Sequence, residues 1–181
     1  MSARVVDEEL KHVIHRAKRG DREAFADLVR RFKGHVYRYA AGMLGDRMDA
    51  EDVSQEVFIK AYYSLPSLDN EFAFSSWIIR IAANLCKDRL KKRTHAPEHG
   101  MNDEQKERIA DEHAADPLEK VSIEEGLSRL SVGHREVLLL HEIQGYNYEE
   151  IAKMTDVPLG TVKSRLFAAR MNLRKELRRE D

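Results

Sequence analysis

The chain is poor in the residues that punctuate or cross-link a fold: one cysteine, four prolines and nine glycines among 181 residues. A lone Cys86 cannot close an internal disulfide, which excludes a disulfide scaffold and suits a reducing cytoplasm. So little proline and glycine argues against a many-turned β fold and favours long helices. No stretch approaches the roughly 18 uninterrupted apolar residues of a membrane span. The first residues turn acidic at Asp7-Glu8-Glu9 before any apolar run, so no secretory leader is expected. Core-forming material is not scarce. Hydrophobic residues make up 42% against 35% charged, which excludes a disordered tail.

The formal net charge of −1 conceals a strong segregation. Residues 94–117 hold seven acids and two bases, whereas Arg80 to Arg93 holds six bases and the single acid Asp88. Gly160 to Arg179 holds seven bases and the single acid Glu176. Two basic elements in a neutral chain point towards a polyanion. The segment from Thr94 to Asp116 offers only Met101 and Ile109 as sizeable apolar side chains, too few to bury a core. We therefore expect two domains, 1–93 and 118–181, loosely tethered by a flexible acidic linker over 94–117.

Both domains read as all-α. Leu10, Val13, Ile14 and Ala17 recur at helical spacing before Gly20. Asp21 is placed to cap a second helix with the stripe Phe25, Leu28, Val29, Phe32, Val36, Ala40 and Met43, closed by Gly45. Asp49 is expected to cap a third helix bearing Val53, Val57, Phe58 and Ala61, ending before Leu65-Pro66. Phe74, Trp77, Ile78, Ile81, Leu85 and Leu90 mark a fourth. In the second domain a helix is expected to open at Pro117 and run to Leu130, and Ser131 to cap the next as far as Gly145. Asn147 and Glu150 suggest a capping box on a short helix, followed by a turn at Pro158 and a long basic helix.

That last pair describes a helix-turn-helix, whose second helix enters the major groove of DNA. Leu159, Val162, Leu166 and Ala169 fill its apolar stripe, so Lys163, Ser164 and Phe167 must point elsewhere. An aromatic ring beside Lys and Ser suits base edges, where the ring meets a thymine methyl and Lys reaches guanine or phosphate. The fourth helix mixes Phe72, Phe74 and Trp77 with Arg80, Asn84, Lys87 and Arg89. Single-stranded nucleic acid takes that pairing, because rings stack on unpaired bases while cations track the backbone. Trp77 also fits a plain core position. The start of the third helix is acidic, with Asp46, Asp49, Glu51, Asp52 and Glu56 against Arg47, more than a helix dipole requires, and suggests a basic protein surface as partner. The pairs His12/His15 and His95/His99 lack a third ligand at zinc spacing, and there is no phosphate-cradling loop or nucleophile elbow. No enzyme activity, metal or cofactor is expected.

Three segments carry a resemblance. Asp49-Ala50-Glu51-Asp52-Val53-Ser54-Gln55-Glu56 through Tyr62 resembles region 2.2 of bacterial sigma-70 family initiation factors, and Phe74-Ser75-Ser76-Trp77 through Asn84 resembles regions 2.3–2.4. Tyr148 through Ala152, followed by Val157-Pro158-Leu159-Gly160-Thr161-Val162-Lys163-Ser164-Arg165-Leu166, is similar to region 4.2. Two domains alone place the chain with the extracytoplasmic-function (ECF) group. It departs from many relatives at Ser131, where they carry proline, and from some at Ala168, where they carry a cation. The resemblance implies a core-polymerase docking set (Asp49, Glu51, Asp52, Gln55, Glu56) that meets the β′ clamp. It implies a minus-ten set (Phe74, Trp77, Arg80, Asn84, Lys87, Arg89) for single-stranded promoter DNA. A minus-thirty-five set (Thr161, Lys163, Ser164, Arg165, Phe167, Arg170, Arg174) would read the duplex. It also implies an anti-sigma factor, often membrane-embedded, as a restraint on a cytoplasmic protein. The alternative is a helix-turn-helix regulator that works without polymerase, its acidic helix serving as a dimer or effector surface.

Overall fold

A computed structural model describes residues 7–95 and 122–178, which form eight α-helices and no strand. The first bundle holds α1 (Glu8–Lys18), α2 (Arg22–Leu44), α3 (Arg47–Ser64) and α4 (Phe74–His95), with short 3₁₀ turns at Leu65–Ser67 and Glu71–Ala73. Local chemistry sets most of these limits. Asp7 and Asp21 accept from the backbone N–H groups of Leu10 and Ala24, capping α1 and α2. Gly45, at φ +65°, closes α2 in the left-handed conformation that glycine adopts without strain.

Two expected limits move. Asp46, not Asp49, caps α3: its backbone is extended and its carboxylate accepts from the Asp49 N–H at 2.8 Å. Asp49 is thereby placed inside the first turn. The fourth helix runs through Thr94 and His95, beyond the expected domain limit at residue 93. Basic residues Lys92 and Arg93 favour its C-terminal dipole, and the Thr94 hydroxyl donates to the Lys91 carbonyl. The remainder of the expected acidic linker lies outside the described residues.

Helix α2 is the spine. Leu28, Phe32, Val36, Tyr39, Ala40 and Met43 are all buried and meet Ile14 of α1, Val53 and Val57 of α3, and Phe74 and Ile78 of α4. Complete burial of one such large side chain stabilises by about 1.5–3 kcal/mol, so this spacing is what commits the sequence to one bundle.

The second bundle holds α5 (Ile123–Ser128), α6 (Val132–Glu142), α7 (Tyr148–Thr155) and α8 (Leu159–Leu177). Ser122 caps α5, so the described helix starts at Ile123, and the expected opening at Pro117 lies outside the described residues. Ser131 caps α6, and Asn147 with Glu150 completes the expected reciprocal capping box on α7. Asp156 adopts φ 54° at the end of α7, a conformation aspartate tolerates better than most residues, and Pro158 then leads into α8.

The two bundles touch through a few helices. Helix α2 packs against α5 and α6, and α4 against α7. Gly42 permits the closest approach, since a Cβ there would lie 2.7 Å from Leu139 Cδ2. The physical reason is residual apolar surface: Leu139 and Tyr146 are buried once the bundles meet, to 3% and 4% exposure.

Candidate promoter and polymerase interface

The helix-turn-helix stands as read. Val162, Leu166 and Ala169 anchor α8 in the second bundle, which turns Lys163, Ser164 and Phe167 outwards. Phe167 is 70% exposed, an unusual cost for an aromatic ring unless a partner covers it. Thr161 and Arg165 are half-buried at the edge of this face, Arg165 lying alongside Gly133 of α6. Arg170 donates to Glu142 at 2.9 and 2.6 Å. That bond, with a second donated to the Tyr148 oxygen, raises its pKa above the ordinary arginine value. Arg174 is exposed one turn further on. Lys163, Ser164, Phe167, Arg170 and Arg174 thus share one solvent-facing side of the helix end to end.

The fourth helix is divided. Arg80 and Asn84 are exposed, and Trp77 is half-buried with its ring 5.7 Å from that of Phe74. Phe74 itself is fully buried, edge-on to Phe32 at 5.0 Å, so it belongs to the core and presents no surface to a base. Its neighbour Phe72 takes the outer position, 52% exposed with the Lys11 ammonium 5.0 Å above the ring. Lys87 pairs with Glu136 of the second bundle at 3.0 Å, and Arg89 pairs with Asp49 at 2.9 Å.

The acidic face of α3 is divided as well. Glu51, Asp52 and Gln55 are exposed, and Glu56 is half-buried with Lys60 at 3.8 Å. Asp49 is committed within the fold: it accepts from Arg93 and Arg89 of α4, and these guanidiniums hold its carboxyl below the usual aspartate range. Exposed Ile59 and Tyr63 extend the acidic face with apolar surface, a signal present in the sequence as residues left over from the helical stripe. A groove of about 510 Å³ on the second bundle is lined by Ile123, Leu127, Ile143, Leu173 and Leu177 and rimmed by Arg174. Sequence reasoning missed it because its residues come from three helices, each individually reading as ordinary core.

Among the described residues no three His, Cys, Asp or Glu side chains gather as a metal site. Nor is any helix among them long and apolar enough to cross a membrane. The arrangement defines a two-bundle, helix-turn-helix protein with an acidic face set apart from its basic ones. Residues 28–96 match sigma-70 region 2, and residues 120–173 match sigma-70 region 4. The chain is 36% identical to the ECF RNA polymerase sigma factor SigW of Bacillus subtilis, covering 93% of this chain and 97% of that one. It is 33% identical to the ECF RNA polymerase sigma-E factor of Escherichia coli, covering 94% and 93%.

Solved structures share the fold. CnrH in complex with the cytosolic domain of CnrY superposes with a TM-score of 0.70 at 24% identity, covering 94% of this chain and 98% of that one. RpoE of Bartonella quintana, solved with the anti-sigma factor NepR, gives 0.66 at 21%, covering 87% and 98%. The chain belongs to the sigma-70 family, in its ECF group, and as such directs core RNA polymerase to promoters.

Proposed function

We propose a division of labour among three faces of this sigma factor. Glu51, Asp52, Gln55 and Glu56 of α3 dock on a basic surface of core polymerase, the β′ clamp in the family. Arg80 and Asn84, with Trp77 and Phe72 as flanking rings, take the unpaired strand of the minus-ten element, and Lys87 and Arg89 join them where their ion pairs exchange for phosphate. Lys163, Ser164 and Phe167 read the minus-thirty-five duplex, while Arg170 and Arg174 follow its backbone. The boundaries 1–93 and 118–181 then separate strand capture from duplex reading. The observation that carries this reading is the outward face of α8, where a ring and two polar side chains stand free of the core.

An anti-sigma factor, the partner seen with RpoE of Bartonella quintana, is the restraint we expect on this cytoplasmic chain; a membrane-embedded one would couple it to an envelope or stress signal. The apolar groove at Leu173 and Leu177 suits an amphipathic helix from such a partner.

The test is charge reversal at exposed Asp52 and half-buried Glu56, Asp52→Lys with Glu56→Lys. Both lie on the outer part of α3, so helicity should be retained while core polymerase is no longer captured and promoter-specific run-off transcription fails. Normal competition for core polymerase by the variant would remove α3 as the docking face. A chain that binds promoter duplex but never captures core polymerase would instead be a regulator acting alone.

A further inference from the structure

We propose that α1, which precedes the matched region 28–96, is a specificity element for strand capture, and that Lys18 is its positioning residue: it fixes the loop that carries Phe72 beside α4. The proposal rests on the reading of Phe72, Arg80 and Asn84 as strand-capturing residues. Helix α1 buries Leu10, Val13, Ile14 and Ala17 against the bundle, as an amphipathic helix does. Its flank has a second task. Lys11 and Lys18, two turns apart and so on one side of the helix, both reach the loop between α3 and α4. The Lys18 ammonium donates to the Leu68 carbonyl and to Glu71 Oε1, the latter at 3.0 Å. The Lys11 ammonium stands 5.0 Å over the ring of Phe72.

The loop needs such a hold. Leu68 is buried at 7% exposure, whereas Asp69, Asn70 and Phe72 are exposed. Ordering a backbone costs free energy that apolar burial normally offsets, and one leucine cannot do so for the whole loop. Local bonds help: the Asn70 side-chain oxygen accepts from the Phe72 N–H at 3.0 Å, and the Ala73 N–H donates to the Asn70 carbonyl at 3.0 Å. These shape the turn at Phe72 without joining it to a neighbouring helix. Lys18 joins it to one, 50 residues back in the chain from Leu68. The ion pair is sheltered, with the side chains of Lys18 and Glu71 each 19% exposed, so solvent and salt weaken it less than a surface pair. It also holds the Glu71 carboxyl below the usual glutamate range. Phe72 is thereby presented with its ring 52% exposed and an ammonium beside it. An unpaired base stacks best on a ring already held in place, with a cation near the adjoining phosphate.

The test uses holoenzyme assembled from the full chain and core polymerase. The parent selects a minus-ten single strand from a randomised pool, and a minus-thirty-five duplex in the same way. Fluorescence anisotropy then reads binding of the labelled strand, its single-base variants and the duplex. Lys18→Met keeps the aliphatic stem and removes the donor, whereas Lys18→Arg keeps a donor and the charge. Circular dichroism establishes that each retains the helicity of the parent. If loss of the tie leaves the loop in its binding position about one-tenth of the time, strand affinity falls about tenfold in Lys18→Met, because apparent affinity scales with the competent fraction. Single-base variants that already miss the Phe72 contact should lose little, so base preference narrows. Duplex binding should be that of the parent, and Lys18→Arg should recover most of the strand affinity and the preference. Parent-like strand binding by a folded Lys18→Met would overturn the proposal. Equal loss on strand and duplex, or a Lys18→Arg as weak as Lys18→Met, would also overturn it by making Lys18 a structural residue only. Should Lys18→Met lose helicity, Lys11→Met, at a side chain 41% exposed, decides alone by the same measurements. Phe72→Ala separates the two readings. If it weakens strand binding while the lysine variants do not, the role of α1 alone fails; if it and Asn84→Ala both bind as the parent does, the reading of α4 fails and the role of α1 with it.

Discussion

Phe167→Ala isolates base reading from folding. The ring is 70% exposed and lies outside the buried set of Val162, Leu166 and Ala169, so its removal opens no cavity. Surface substitutions of this kind stay within about 0.5 kcal/mol of the parent in stability. On DNA the expectation is different, since a lost base contact costs about 1–3 kcal/mol. At tenfold per 1.4 kcal/mol, that is roughly 5- to 150-fold weaker binding, confined to duplexes that carry the contacted base. Lys163→Ala is the companion: a lysine on guanine gives the same sequence-dependent loss, whereas one on phosphate weakens every duplex alike and lowers the salt slope by about one. The assay is anisotropy with polymerase holoenzyme on duplexes differing at single positions of the minus-thirty-five element, at two salt concentrations, beside a thermal melt of the free chain. A uniform loss for Phe167→Ala across all duplexes, or a marked drop in its melting temperature, would refute the assignment of the ring to base reading.

Asn84→Ala should impair strand opening more than duplex association, because an exposed amide offers both donor and acceptor to an unpaired base edge. Run-off transcription from a pre-melted bubble should recover much of the activity lost on linear promoter DNA, and a defect undiminished on the bubble would count against that role. Asp49→Asn addresses stability. The Arg93 and Arg89 guanidiniums depress the Asp49 pKa, so its contribution is present above the ordinary aspartate value and is lost as pH falls through the lower native one. Urea midpoints should therefore differ between parent and variant near neutral pH and converge in strong acid; a constant gap across that range would mean Asp49 stabilises without its charge.

What the sequence determined by itself was local in origin. Apolar side chains at three- and four-residue spacing committed α1, α2 and α8 to helix, and side chains that bond their own backbone closed the ends at Asp21, Ser131 and Asn147. The free face of α8 followed by subtraction once the buried stripe was assigned. Periodicity tells which way a residue points and not how deep it lies, so Phe74 and Phe72 could not be ranked, and only packing against Phe32 sent one ring inwards and left the other out. Asp46 and Asp49 are equally good caps on paper; Arg89 and Arg93, some forty residues away in the chain, drew Asp49 into an ion pair. The same holds for Lys87 and Glu136, which belong to different bundles. Charge pairing depends on distance in space, and two bundles built from complementary surfaces bring together groups whose separation along the chain carries no sign of it.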